Sequence, residues 1–443
     1  MQLSFLLSSK LRSDFRAATA RRLAAPDAAA LPASQLATVR KQWTDAVKDI
    51  PYYANLVTSG HAPKELHSWD DLHRLPILSR PLLQDQPESF IRHSGPPDSF
   101  MKTAGSTGTP LRLGLNQSER DRMRVVKLAE WQKFGYTPSS RLFLIWGHSH
   151  LLGTGLLGRL NHLKRKLADW TLGYRRVDAY RLSRTLCESH ARALIRHRPL
   201  GLIGYASALD LFARNTTQFR DEFRALGLRF VLATSEPAPS EDSTALIEDL
   251  FGCPVVQEYG GAEFGQVAFK NGSAPFEVYS DLNYVECEFS TPDSSGTHPI
   301  LVTTLYPRYL PLFRYRVGDA VQRPELMTHG HISRFEVLAG RINDVIQFDD
   351  GFAVHSVAIF HCIHQEPAVH NIQMIVDDSG IEIRLISTTP DDPALEKRIR
   401  GRLAQVHGPL GQARIHFAED LVTNRAGKRL WFVDRRLKKP VRV

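Results

Sequence analysis

The chain has 443 residues, 42% hydrophobic and 23% charged, which excludes an extended disordered protein and exceeds what one compact core usually holds. Two domains of unequal size are therefore expected, and the net charge of +9 favours anionic partners such as ATP, coenzyme A, an acidic protein or nucleic acid. The four cysteines, Cys187, Cys253, Cys287 and Cys362, form no CxxC pair, which argues against a disulfide framework or a cysteine zinc site and suits a reducing cytoplasm.

At the N-terminus the apolar run Leu3–Leu7 is broken by Ser4 and is too short for a signal-peptide core. No stretch approaches the length of a membrane span, so a cytoplasmic protein with no membrane partner is expected. The first hundred residues read as helical and proline-punctuated, with a helix over Leu36–Val47 ended by Pro51. Buried strands are predicted at Leu142–Trp146, Leu200–Gly204 and Arg229–Ala233. Basic amphipathic helices lie between them at Leu160–Trp170 and Ser183–Arg196. This alternation predicts an α/β class: a large, multi-layer α/β domain over residues 1–339.

Residues 340–443 pattern differently. Ile372–Val376 and Ile381–Ile386 flank the turn Asp377–Gly380, as in a hairpin. A helix follows, capped by Asp391 or Asp392 with Pro393 in its first turn, an apolar face at Leu395, Ile399, Leu403 and Val406, and an end at Gly408-Pro409. Ile415–Phe417 adds a short strand. The expectation is a small, mobile α+β C-terminal domain. A dense basic patch closes the chain: Arg435, Arg436, Lys438, Lys439 and Arg442.

Five segments carry chemistry. In Lys102–Pro110, glycines and hydroxyls alternate, so backbone N–H groups and hydroxyls can surround phosphate, although GxxxxGK[ST] is not matched and a polar surface turn has the same composition. In Glu258–Gly265, after a strand at Val255–Gln257, paired glycines let the backbone lie against a planar ring, and Glu263 is either a Mg²⁺ ligand or a solvated turn residue. In Phe313–Asp319 an acid follows a glycine past a strand end, placed to accept ribose hydroxyls or to cap a turn. Gly340–Ile346 falls on the domain boundary. Thr423–Lys428 presents one lysine on a glycine-flexed loop, a compact cation suited to a reacting phosphate.

The order and spacing of these segments resemble the adenylate-forming superfamily of acyl-CoA synthetases, adenylation domains and luciferases. Within it, Ala233-Thr234-Ser235-Glu236-Pro237 leading to Phe251-Gly252 and Tyr259 resembles the phenylacetate–CoA ligase branch. The resemblance implies ATP and Mg²⁺ as cofactors. It places Gly105, Ser106, Thr107, Gly108 and the adjoining Thr109 on the phosphates, and Tyr259 and Gly260 at the adenine. Glu263 would take the metal, Asp319 the ribose with Arg341 close by, and Lys428 the substrate carboxylate and α-phosphate. Asn343 stands at the hinge. Ala262 replaces the family's Ser or Thr before the glutamate, and the phosphate loop lacks a terminal lysine. His148, His150, Tyr205, Ser207, Ala208 and Gly261 would line the pocket of a small, hydroxybenzoate-like acid. The acyl group would pass from AMP to coenzyme A or to the pantetheine of an acyl carrier protein, the basic tail favouring the latter.

Three rival readings remain open at this level. Gly153–Gly158 spells GxGxxG with Asp178 beyond it, a dinucleotide-oxidoreductase signature set too far from the preceding strand. A nucleic-acid binder rests on charge alone, without a binding motif, so no nucleic-acid partner is expected. The same fold can also adenylate without thiol transfer.

Overall fold

A computed structural model describes residues 31–102, 111–137, 139–146, 155–179, 184–234, 242–292, 296–341, 345–348, 353–355, 368–390, 392–422 and 432–436, with a few isolated positions besides. Ser106, Thr107, Gly108, Thr109, His148, His150, Asn343 and Lys428 lie outside the described residues.

The N-terminal region opens with α1 (Leu31–Asp49) and α2 (Pro51–Thr58). Pro51 does not merely stop a helix. It occupies the first turn of α2, where its missing N–H costs nothing. The short α3 (Arg80–Asp85) follows, then a hairpin of β1 (Ser99–Lys102) and β2 (Arg112–Leu115), then α4 (Gln117–Trp131).

An alternating series builds the next layer: β3 (Leu142–Ile145), α5 (Gly155–Thr171), β4 (Tyr174–Val177), α6 (Arg184–His197), β5 (Gly201–Tyr205), α7 (Ala206–Arg214), β6 (Phe230–Thr234), α8 (Ser243–Phe251) and β7 (Val255–Gly261). These strands are parallel. An antiparallel set continues the sheet: β8 (Gly265–Asn271), β9 (Phe276–Val278), β10 (Asn283–Cys287), β11 (His298–Thr304), β12 (Tyr315–Leu326) and β13 (Ile332–Arg341). The eleven strands run β10-β11-β12-β13-β9-β8-β7-β6-β5-β3-β4.

Side-chain alternation makes the parallel half two-faced. Phe143, Ile145, Leu202, Val231 and Val255 pack with Cys187, Ala191 and Leu194 of α6 and with residues of α7 and α8. Leu142, Leu144, Ile203, Leu232 and Val256 turn the other way, onto Val125, Leu128 and Trp131 of α4. A third cluster joins α1 and α2 to the antiparallel strands through Trp43, Tyr53 and Phe313, whose rings meet edge to face.

Beyond residue 341 come β14 (Val345–Gln347) paired with β15 (Ala353–His355), then β16 (Val369–Asp377), β17 (Gly380–Ser387), α9 (Pro393–Val406), β18 (Arg414–Phe417) and β19 (Phe432–Asp434). The last four strands form a sheet in the order β18-β17-β16-β19. Asp392 caps α9 by accepting from the Ala394 N–H at 2.9 Å, and Leu395, Ile399 and Leu403 are its buried face. This cluster draws only on residues from Ile346 onward, and the other three clusters only on residues up to Leu338.

Candidate active site

The parallel strands β3, β5, β6 and β7 end on one edge, where open α/β sheets bind ligands. Tyr205 stands level with Thr234, and Thr234 level with Glu258. At ordinary strand spacing, Tyr205 and Glu258 are about 10 Å apart along that edge. Tyr205 is buried beside Trp146, ring centroids 4.6 Å apart, and Ala208 is buried in the first turn of α7. Ser207 shares that turn, and its side chain lies outside the described set.

β7 does not stop before the glycines, as the sequence pattern suggested. It runs through Tyr259, Gly260 and Gly261 and pairs with β8, with a register shift between Tyr259 and Gly260. The glycines are required by this closure. A Cβ on Gly260 would stand 2.4 Å from the Gly265 carbonyl, and one on Gly261 would stand 2.5 Å from the Phe264 ring. The planar partner against Gly261 is thus a side chain of the protein itself.

Tyr259 is buried, and its hydroxyl donates to Asp319 Oδ2 at 2.8 Å. Asp319 does not follow a strand end; it lies within β12, directly after Gly318, whose φ of +82° favours glycine. Across the ladder Asp319 is the partner of Arg341 on β13, and Ala320 that of Gly340. Tyr259 and Asp319, sixty residues apart, therefore join through their side chains, and the backbone of Arg341 stands opposite Asp319. An acid held in this way can accept hydroxyl protons from a sugar.

Glu263 sits at the β7–β8 turn. Its Oε1 accepts from Arg80 Nη1 at 2.6 Å, with both side chains largely buried. Arg80, the first residue of α3, carried no signal in the sequence. It is delivered by main-chain pairing: Leu78 N–H donates to the Arg314 carbonyl, and Arg316 N–H to that of Leu78. Among the described residues no cluster of three metal ligands exists. Magnesium is commonly held by one or two carboxylates plus substrate phosphates, so Glu263 with its second oxygen fits that role.

The pairing of β1 with β2 ends at Lys102 opposite Arg112, and residues 103–110 lie outside the described residues. The Arg112 guanidinium stacks over the Phe100 ring at 3.8 Å. Among the described residues, helix α5 starts at Gly155, well past the end of β3 at Ile145, a longer step than the tight strand–turn–helix of a dinucleotide site uses.

No family model matches the chain. Over 326 residues it is 23% identical to phenylacetate–coenzyme A ligase of Escherichia coli (strain K12), covering 70% of this chain and 71% of that one. Over 266 residues it is 22% identical to protein CapK of Staphylococcus aureus, covering 58% of each. Among solved structures, 2-hydroxyisobutyryl-CoA ligase in its postadenylation state superposes with a TM-score of 0.65 at 16% identity, over 90% of this chain and 88% of that one. The same ligase in its thioesterification state, with 2-HIB-AMP and CoA, gives 0.55 at 18% identity, over 93% and 91%. In sequence the chain is thus similar to phenylacetate–coenzyme A ligase and protein CapK, and in fold to 2-hydroxyisobutyryl-CoA ligase. The observed α/β architecture agrees with that fold.

Proposed function

We propose that the chain is an AMP-forming acid–thiol ligase. A small carboxylate attacks the α-phosphorus of ATP, pyrophosphate leaves, and the acyl group then moves from AMP to a pantetheine thiol. The observation that carries this reading is the Tyr259–Asp319 hydrogen bond, with Arg341 opposite Asp319 in the ladder, beside the glycine-closed edge of β7.

In this proposal Asp319 accepts from the ribose hydroxyls, Tyr259 fixes that carboxylate and walls the base with Gly260, and Arg341 adds positive charge beside it. Ser106, Thr107, Gly108 and Thr109 would surround the outer phosphates, above the basic pair at the hairpin base. Mg²⁺ on Glu263 would neutralise charge on the phosphates. Lys428 would stabilise the charge that builds on the α-phosphoryl group. Residues 1–339 and 340–443 would act as two domains turning about Asn343, a division supported by the separation of their hydrophobic clusters.

Trp146, Tyr205 and Ala208, with His148, His150, Ser207 and Gly261, would hold the acid. The flat Trp146–Tyr205 pair and the name of the E. coli relative support an aryl or arylacetic acid, hydroxybenzoate-like compounds included. The names of the relatives favour coenzyme A as acceptor; a carrier protein presents the same thiol. Acid-dependent ATP–pyrophosphate exchange across aryl and short alkyl acids tests the first half-reaction. Asp319→Ala should raise KM for ATP roughly tenfold to a hundredfold. Lys428→Ala should abolish exchange yet largely spare thiol transfer from synthetic acyl-AMP; equal loss of both steps would refute its role.

A further inference from the structure

Helix α5 is mounted inside out. Leu160, Leu163, Leu167 and Trp170 recur at spacings of three, four and three, so they form one stripe. That stripe faces solvent: the four side chains are 53%, 64%, 60% and 77% exposed. No described side chain of α5 enters any of the four buried clusters. The opposite, polar face meets the protein. Asp169 accepts both Arg176 Nε and Nη2 from β4, at 3.1 and 3.0 Å. Arg165 lies within electrostatic reach of Arg176, Asp169 and the pocket residue Tyr205. Burial, then Arg176, lowers its pKa.

A seventeen-residue helix gains little stability from propensity alone and usually owes it to a buried apolar face. Here that face is free among the described residues, and it is bordered by cations. On a helical wheel Arg159 and Lys166 flank one margin of the stripe and Lys164 the other, all three exposed. Leucines and a tryptophan on one face with basic residues along the margins are the pattern of helices that lie in a bilayer interface.

We propose that α5 docks on a membrane surface bearing anionic headgroups, its leucines and Trp170 entering the interface while Arg159, Lys164 and Lys166 meet lipid phosphates. Charge complementarity selects this occupant. A symmetric pairing of two copies through this face would oppose the same cations to one another. A projecting stripe also needs no groove in a bilayer. The expectation of no membrane partner rested on the lack of a spanning segment. Among the described residues no helix is long and apolar enough to cross a bilayer, and surface docking requires none. This inference stands apart from the proposed ligase activity.

Flotation of the full chain with vesicles of phosphatidylglycerol and phosphatidylcholine, against phosphatidylcholine alone, tests it. Binding should require the anionic lipid, weaken with salt, and shift Trp170 emission to the blue, a shift absent in Trp170→Phe. Lys164→Gln and Lys166→Gln should each weaken partitioning about fivefold. Leu163→Asp with Leu167→Asp should reduce it by at least about tenfold without changing the unfolding midpoint. Failure to float with anionic vesicles, or flotation unaffected by the two aspartates, overturns the proposal. So does a concentration-dependent dimer, or a complex with an acidic protein, that those substitutions abolish while vesicles leave the wild-type chain free.

Discussion

Helices α5 and α6 flank the same strand, β4, and both are basic and amphipathic, yet they use their faces in opposite ways. α6 buries Cys187, Ala191 and Leu194, whereas the stripe of α5 points to water. The neighbouring strands explain the difference. α6 crosses from β4 to β5 over β3, and the surface it meets is Phe143, Ile145 and Leu202. α5 returns to the edge strand β4, whose sequence Tyr174-Arg175-Arg176-Val177 offers a guanidinium to Asp169. Helical periodicity establishes that two faces exist; the surface a helix lands on decides which one is covered.

Several measurements can break or sharpen this contrast. The largest effect belongs to the core side. Leu194→Asp puts a carboxylate into the α6 cluster and should cost more than about 4 kcal/mol, whereas Leu163→Asp on α5 should change stability by no more than about 0.5 kcal/mol. Equal shifts of the urea midpoint would end the comparison. Next, Asp169→Ala removes the polar anchor of α5 and should cost about 1–3 kcal/mol. Hydrogen exchange should then quicken over residues 155–171 and leave α6 unchanged.

The smallest effect is a pH dependence on α6. Burial lowers the pKa of both His190 and His197 below the ordinary 6.5. His197 Nε2 stands 3.2 Å from both the Leu142 and Gly173 carbonyls, which the neutral ring's N–H can satisfy. The unfolded chain takes up these protons near pH 6.5, while the folded chain resists until lower pH. Their contribution is therefore present above about pH 6.5 and lost as pH falls, by at most about 1.4 kcal/mol per histidine per pH unit. Denaturation midpoints at pH 7.5 and 5.5, wild type against His190→Gln with His197→Gln, check the slope; a steeper slope in the double variant would reverse the sign argued here.

Much of the fold is legible in the sequence because it rests on local rules. Continuous apolar runs place β3, β5 and β6 within about a residue of their observed ends, since strands covered on both faces need no polar alternation. Asp392 and Pro393 mark the start of α9 by satisfying helix-end donors locally. The elements around the site are less faithful to their local patterns. Gly-Gly after Tyr259 reads as a turn, and Gly-Asp after Val317 as a strand end, yet both pairs continue their strands. Pairing with β8 and β13 supplies partners that override the preference of isolated glycines for turns.

By itself the sequence determined the α/β layering and the start of α9, because each follows from short-range patterns. Only the tertiary structure decided that Tyr259 donates to Asp319, that Arg80 reaches Glu263, and that the apolar stripe of α5 faces outward. Those outcomes depend on contacts between residues tens to hundreds of positions apart. No local propensity encodes which surface of the chain will stand opposite another.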